Sequence, residues 1–199
     1  MLRYLLCALL LLVPVVHARG VTDLRLYGQE APSAIYVFTS PICSHCRDYH
    51  KFIWPEIIKN FVETGRARLY VVDIPGTRAG LDAVKMLRCL PPDKAIKVEG
   101  WLYENQERWM NVKDHKTVLL QYAQAIGMGT DAFNQCLSNE ALETAIVDQS
   151  MRLSKLYGVS GTPTTILRHG NNVKYYVGAE RKAVLHGLDK DIQDFEKQK

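Results

Sequence analysis

The chain has 199 residues, 47% hydrophobic and 23% charged, with 13 Gly and 8 Pro, which excludes a fibrous or disordered protein and fits one globular domain with a small insertion. Its 25 Lys and Arg against 21 Asp and Glu leave +4, too small a surplus for a nucleic-acid-binding surface, so no nucleic-acid partner is expected. Five Cys is an odd number, which in an exported protein points to a free thiol or an intermolecular bond.

The N-terminus resolves the oddness. Arg3 opens an apolar run from Tyr4 to Val16, shorter than the roughly 20 residues that span a bilayer. Val16-His17-Ala18 then puts small residues at the cleavage positions, so residues 1–18 read as a cleaved signal peptide. Pro14 and His17 interrupt any continuation of the helix as an anchor, and Leu6-Cys7 lacks the small residue that a lipoprotein site needs. Cleavage removes Cys7 and leaves Cys43, Cys46, Cys89 and Cys136, an even set suited to an oxidising compartment. The closing Glu196-Lys197-Gln198-Lys199 is no endoplasmic-reticulum retention signal. A soluble periplasmic protein is therefore expected.

Leu24 to Tyr27 and Ala34 to Phe38 read as strands. The second runs Ile35-Tyr36-Val37-Phe38 without polar alternation, as a central strand covered on both faces does. Thr39-Ser40-Pro41 ends it. From Cys43 onward Tyr49, Phe52, Ile53, Ile57, Ile58 and Phe61 recur at helical spacing as far as Gly65. Arg68 to Ile74 is a third strand, closed by Pro75-Gly76, so strand, helix and strand form a βαβ unit with parallel pairing. From Ala79 to about Leu156 the pattern is helical, broken at Pro91-Pro92, Gly127-Met128-Gly129 and Ser138-Asn139. Thr165 to Arg168 and Val173 to Val177 flank a Gly170-Asn171-Asn172 turn and make a hairpin. A last helix runs from Arg181 to about Lys197. Without the helical block a small α/β sandwich remains, so residues 77–156 read as an insertion into a domain built from 19–76 and 157–199.

Cys43-Ser44-His45-Cys46 follows a buried strand and opens a helix. A Cys there faces unpaired backbone N–H groups and the positive end of the helix dipole, both of which favour thiolate over thiol. A protonated His45 would add a positive charge close by. The stabilised thiolate leaves more easily and makes the disulfide a stronger oxidant; Cys46, one turn in, is the expected resolving thiol. A merely structural bridge across two residues would be strained and labile. Haem attachment needs His after the second Cys, where Arg47 stands. Zinc needs a second close ligand pair, and Cys89 and Cys136 stand alone, so no metal site is expected. His50, on the same helix beside apolar neighbours, reads as a packed or solvated residue.

Together these features resemble the DsbA-like thiol:disulfide oxidoreductases of the thioredoxin superfamily. The Cys-x-His-Cys after its strand, the helical insertion, and Gly161-Thr162-Pro163-Thr164 ahead of the hairpin occur in the same order. The resemblance implies an α/β thioredoxin fold with a helical insertion between the βαβ unit and the C-terminal hairpin and helix. It implies a cis Pro163 beside the active-site cysteines and a Thr162 backbone turned outward to pair with an extended substrate segment. It further implies that Cys43 and Cys46 donate a disulfide to reduced or unfolded exported proteins, that no organic cofactor takes part, and that a quinone-linked DsbB-like membrane oxidase restores the pair. Many thioredoxin-fold proteins carry a buried acidic residue six positions before the first active-site Cys. Val37 stands there, so proton transfer at Cys46 must use water or another group.

Some members of this family have a second bridge, which Cys89 and Cys136 would supply in the insertion. It would close a loop of about 48 residues and add about 4 kcal/mol in the chain-entropy account; spacing alone leaves the connectivity open. Trp101, Tyr103 and Trp109 read as core, and Glu99, Glu104, Glu107 and Arg108 as the solvated face of the insertion. Family isomerases carry a dimerisation segment ahead of the catalytic domain, whereas here Arg19 to Asp23 precede the first strand, so a monomeric oxidase is expected over a reductase or isomerase. A copper metallochaperone using Cys43, Cys46 and a His would go with Met-rich or His-rich tracts, which the sequence lacks.

Overall fold

The computed structural model describes residues 24–197; the expected signal peptide, Cys7 and residues 19–23 lie outside them. In chain order, β1 (Arg25–Tyr27) and β2 (Ser33–Thr39) lead into α1 (Ser44–Phe52), α2 (Trp54–Ile57), a π turn (Ile58–Val62) and β3 (Ala67–Asp73). There follow α3 (Arg78–Cys89), α4 (Pro92–Glu104), α5 (Gln106–Trp109), α6 (His115–Ala125), α7 (Thr130–Ser138) and α8 (Glu140–Tyr157). The hairpin β4 (Thr164–His169) and β5 (Asn172–Val177) and the helix α9 (Arg181–Glu196) close the chain.

The sheet order is β1-β3-β2-β4-β5. β2 and β3 pair in parallel from Ser33↔Ala67 to Thr39↔Asp73, and the other neighbours are antiparallel. The parallel pair follows from the helical crossover, because a chain that leaves one end of a strand must travel back before it can run the same way. β2 is central, as its unbroken apolarity requires. Ile35 and Val37 pack with Leu69 and Val71 against Tyr49 and Ile53 on one face. Phe38 and Val72 meet Leu153 of α8 on the other. A separate core fills the helical block, centred on Val84, Leu102, Trp109 and Leu119.

The helix that begins after Cys43 is not continuous to Gly65. It stops at Phe52 and restarts at Trp54. Pro55 has no N–H to offer the preceding turn and its ring crowds the carbonyl four residues back, so the apolar spacing continues while the hydrogen-bond ladder does not. The turn over Ile58–Val62 then closes with the Glu63 N–H donating to the Ile58 carbonyl at 2.9 Å. The break at Pro91-Pro92 also sharpens: Pro92 is the first residue of α4, where a missing N–H removes no helical bond.

Glu99 corrects the reading of the insertion's charged residues as a solvated face. Glu104, Glu107 and Arg108 are exposed, whereas Glu99 is 1% exposed. Both its oxygens accept from the Arg25 guanidinium, each at 2.8 Å. Arg25 also binds Asp73 at 2.6 and 3.3 Å, and Arg88 of α3 reaches Asp73 at 3.2 Å. This buried cluster ties the edge strand β1 and the end of β3 to α3 and α4. Burial pushes both carboxyls up. Two arginines pull Asp73 below its ordinary value, while Glu99, facing Arg25 but also the Asp73 charge, stays raised.

Removing one member of such a cluster leaves a buried charge uncompensated. Arg25→Met is expected to lower stability by about 3–5 kcal/mol, read from urea unfolding, and adding Glu99→Gln to recover part of the loss. An unfolding midpoint unchanged in the single variant would contradict the assignment.

Candidate active site

The end of β2 and the start of α1 build the site. Cys43 is the N-cap residue of α1, in extended conformation, and its N–H donates to the Ser40 carbonyl at 3.1 Å. Ile42, just before it, sits against two glycines that allow close approach. A Cβ on Gly76 would meet Ile42 at 2.9 Å, and one on Gly80 would strike the Pro75 carbonyl at 2.0 Å. From the other side, Gln106 of α5 donates to the carbonyls of Pro41 and Cys43 at 3.0 and 2.9 Å. The active-site turn is therefore held from both the sheet and the helical block.

The two sulfurs meet opposite surroundings. Cys43 is partly exposed and Cys46 is fully buried; both are free thiols. Partial burial acts to raise the Cys43 pKa, but the Thr162 hydroxyl and the backbone N–H groups of Cys46 and His45 outweigh it, and the net shift is downward. His45 thus serves Cys43 through its backbone, while its side chain is exposed. Burial pushes the Cys46 thiol up to about 11, against hydrogen bonds from Thr162, Ser40 and Thr39. The Ser40 N–H lies 3.4 Å from Cys46 Sγ.

Across from the cysteines the Thr162–Pro163 peptide bond is cis. The Thr162 carbonyl lies 3.4 Å from Cys43 Sγ. Residues distant in sequence, Cys43, Cys46, Thr162 and Pro163, are thus brought together at one end of the sheet. Cys89 and Cys136 are not part of this site. They are bonded to each other, with Cα atoms 6.2 Å apart, and join α3 to α7 within the helical block.

Sequence reasoning did not single out Gln106, read Thr39 only as the end of a strand and Tyr103 only as core, and assigned no role to His50. The Thr39 hydroxyl lies 2.7 Å from Tyr103 Oη and 3.3 Å from His50 Nε2. The imidazole is stacked between Tyr103 and Trp54, with ring centroids 3.7 and 4.6 Å away. Burial, and then the nearby Arg25 charge, hold His50 well below its ordinary pKa. Two polar residues closing an apolar strand, Thr39-Ser40, were the only local signal. Beside this stack a groove of about 840 Å³ runs between α1 and α4, lined by Arg47, Lys51, Phe52, Lys97, Trp101 and the edges of His50 and Tyr103. Among the described residues no group of three or more His, Cys, Asp or Glu is arranged to hold a metal ion.

With one thiol accessible and acidic and the other buried and weakly acidic, alkylation should discriminate between them. At pH 7 iodoacetamide is expected to label Cys43 and spare Cys46, with a rate that titrates below the ordinary thiol value of 9.0. A midpoint at or above that value, found by mass mapping of the labelled peptide, would contradict the geometry.

Residues 21–177 match the family described as Thioredoxin. A Rickettsia prowazekii protein provisionally named a protein-disulfide oxidoreductase is 23% identical over 172 residues, 86% of this chain and 63% of that one. The chain therefore spans less than two thirds of that relative's length. The crystal structure of Wolbachia pipientis alpha-DsbA1 superposes with a TM-score of 0.80 at 21% identity, over 89% of this chain and 95% of that one. Chlamydia trachomatis DsbA gives 0.72 at 20% identity, over 87% and 92%. At these identities the structural likeness speaks for the fold, and the family match covers most of the chain. The chain belongs to the thioredoxin family, and its fold is that of the DsbA-like thiol–disulfide oxidoreductases.

Proposed function

We propose that the protein is an exported, periplasmic thiol:disulfide oxidase that donates the Cys43–Cys46 disulfide to reduced or unfolded exported proteins. The observation that carries this reading is the opposed environment of the two sulfurs, an accessible Cys43 with its thiolate favoured and a buried Cys46 with its thiolate disfavoured. The favoured Cys43 thiolate stabilises the reduced protein relative to the disulfide, which makes the disulfide oxidising.

A substrate thiolate attacks Cys43 Sγ, forming a mixed disulfide while Cys46 departs as thiolate. A second substrate thiolate attacks the substrate sulfur of that adduct, and Cys43 leaves as the stabilised thiolate. Two electrons pass from the substrate sulfurs to Cys43 and Cys46, with no organic cofactor. The backbone at Thr162, 3.4 Å from Cys43 Sγ, lies where an extended segment joined to Cys43 would pair with it. A quinone-linked membrane oxidase of the DsbB kind would then reoxidise the dithiol. The Cys89–Cys136 bridge serves as a staple of the helical block and takes no part in exchange.

Oxidised protein is expected to introduce disulfides into a reduced, unfolded test protein, with Cys43→Ala abolishing the reaction. The reduction potential is expected near the oxidising end of the family, about −120 mV, and a value near −270 mV would make the protein a reductase instead. Copper binding by the reduced form without thiol oxidation would favour a metallochaperone.

A pH prediction follows from Cys43. Its folded pKa lies below the unfolded one, so its contribution to the reduced form is complete above the unfolded value and is lost as pH falls through the folded value. The oxidised form lacks this ionisation. The melting temperature of the reduced protein minus that of the oxidised protein should therefore shrink as pH falls from 8 through the Cys43 pKa, by calorimetry. A difference constant over that range would count against the thiolate account.

A further inference from the structure

Reoxidation of the protein, on the reading just given, requires Cys46 to lose a proton before its sulfur can attack a mixed disulfide at Cys43. Cys46 Sγ is fully buried, so that proton needs a path. The polar and titratable groups around it are few. Cys43 caps its helix and Tyr49 lies on it, Thr39 ends β2 and the Ser40 N–H follows it, Thr162 comes from the cis-proline turn, and Tyr103 from α4. Tyr49 is committed elsewhere, 2.6 Å from Thr165 Oγ1. Thr39 is different, because it lies next to Ser40, whose N–H is 3.4 Å from Cys46 Sγ, its hydroxyl bears on the acidity of that thiol, and it reaches His50 Nε2 at 3.3 Å. His50 in turn lines the groove between α1 and α4, and its Nδ1 has no hydrogen-bond partner among the described residues.

We propose that Thr39 and His50 conduct the Cys46 proton to the α1–α4 groove, with the imidazole switching tautomer on the way. A hydroxyl has one donor and two acceptor sites, the set such a relay needs. With Cys46 protonated, the path has Thr39 Oγ1 accept from the thiol and from Tyr103 Oη, 2.7 Å away, and donate to His50 Nε2; once Cys46 is a thiolate, the hydroxyl donates to it instead. In the transfer the Cys46 proton passes to Thr39, the Thr39 proton to Nε2, and the Nδ1 proton to water in the groove. The Cys46 thiolate then attacks Cys43 Sγ. The Cys43–Cys46 bond forms, the bond to the partner sulfur breaks, and the partner leaves as thiolate and takes a proton from solvent. Cys46 is oxidised and the partner sulfur reduced. Run backwards, the same path reprotonates Cys46 when it departs during disulfide donation.

The surroundings of His50 favour a shift without a standing charge. Burial and Arg25 disfavour the imidazolium, and stacking between Tyr103 and Trp54 fixes the ring plane with Nε2 toward Thr39. A ring that enters and leaves the step neutral needs only one proton in and one out.

The test uses the reduced full chain mixed with an aromatic disulfide, Ellman's reagent, in stopped flow. The first thionitrobenzoate is released in a bimolecular phase by Cys43, the second in a concentration-independent phase by Cys46. Thr39→Val and His50→Phe are each expected to slow the second phase by about 100-fold at pH 7, a typical general-base contribution, and to leave the first phase unchanged. The gap should close as pH rises toward about 11, where hydroxide ionises Cys46 directly. Thr39→Ser, which keeps the hydroxyl, should restore the phase. A second phase unchanged in both variants, or a gap that does not vary with pH, overturns the proposal. Absence of a second phase in the unaltered protein would overturn the oxidoreductase reading instead.

Discussion

Cys43 and Cys46 are three residues apart at the start of α1, and one turn of helix is enough to give their sulfurs different solvents. The capping position leaves Cys43 among backbone N–H groups that have no helical partner, at the edge of water. One turn on, Cys46 faces the core. Neither condition belongs to cysteine itself; both are set by where the helix starts, which depends on β2 ending at Thr39 and on the Ser40–Cys43 hydrogen bond that turns the chain. Proton movement at the site inherits its difficulty from this arrangement, since a sulfur hidden from water must exchange protons through protein groups.

The helical block takes part in this arrangement. Gln106 holds the carbonyls on both sides of Ile42, and Tyr103 lies under the end of β2. The buried cluster of Arg25, Asp73, Glu99 and Arg88 fixes how α3 and α4 sit on the sheet. The active-site turn is thus clamped between two separately packed cores, and a shift of the block would loosen it.

Much of the fold is legible because its signals are local. The apolar runs of β2 and β3, the helical spacing after Cys43, and the glycine turn of the hairpin each declare an element within a dozen residues. The Cys43–Cys46 spacing is local too, and the strand before it and the helix after it give it meaning. What escapes is whatever depends on a distant partner. Glu99 looks like its exposed neighbours Glu104 and Glu107 until Arg25, 74 positions earlier, is seen against it. Gln106 reaches Cys43 across 63 positions. His50 is an ambiguous helix residue in sequence, and only the rings of Trp54 and Tyr103 closing over it decide that it is buried. The interruption at Ile53 is a different case: Pro55 is visible, but apolar periodicity describes which side faces inward and is blind to hydrogen bonds.

Arg25 ends up doing two unrelated things with one charge. It neutralises the carboxylates that join the helical block to the sheet, and its field also bears on His50 under the active site. An apolar core redesigned to replace the ion cluster, a change that often stabilises proteins, would therefore also remove a positive charge that disfavours the His50 imidazolium. One guanidinium thus sets both how the helical block is fastened to the sheet and the charge state of an imidazole one layer away.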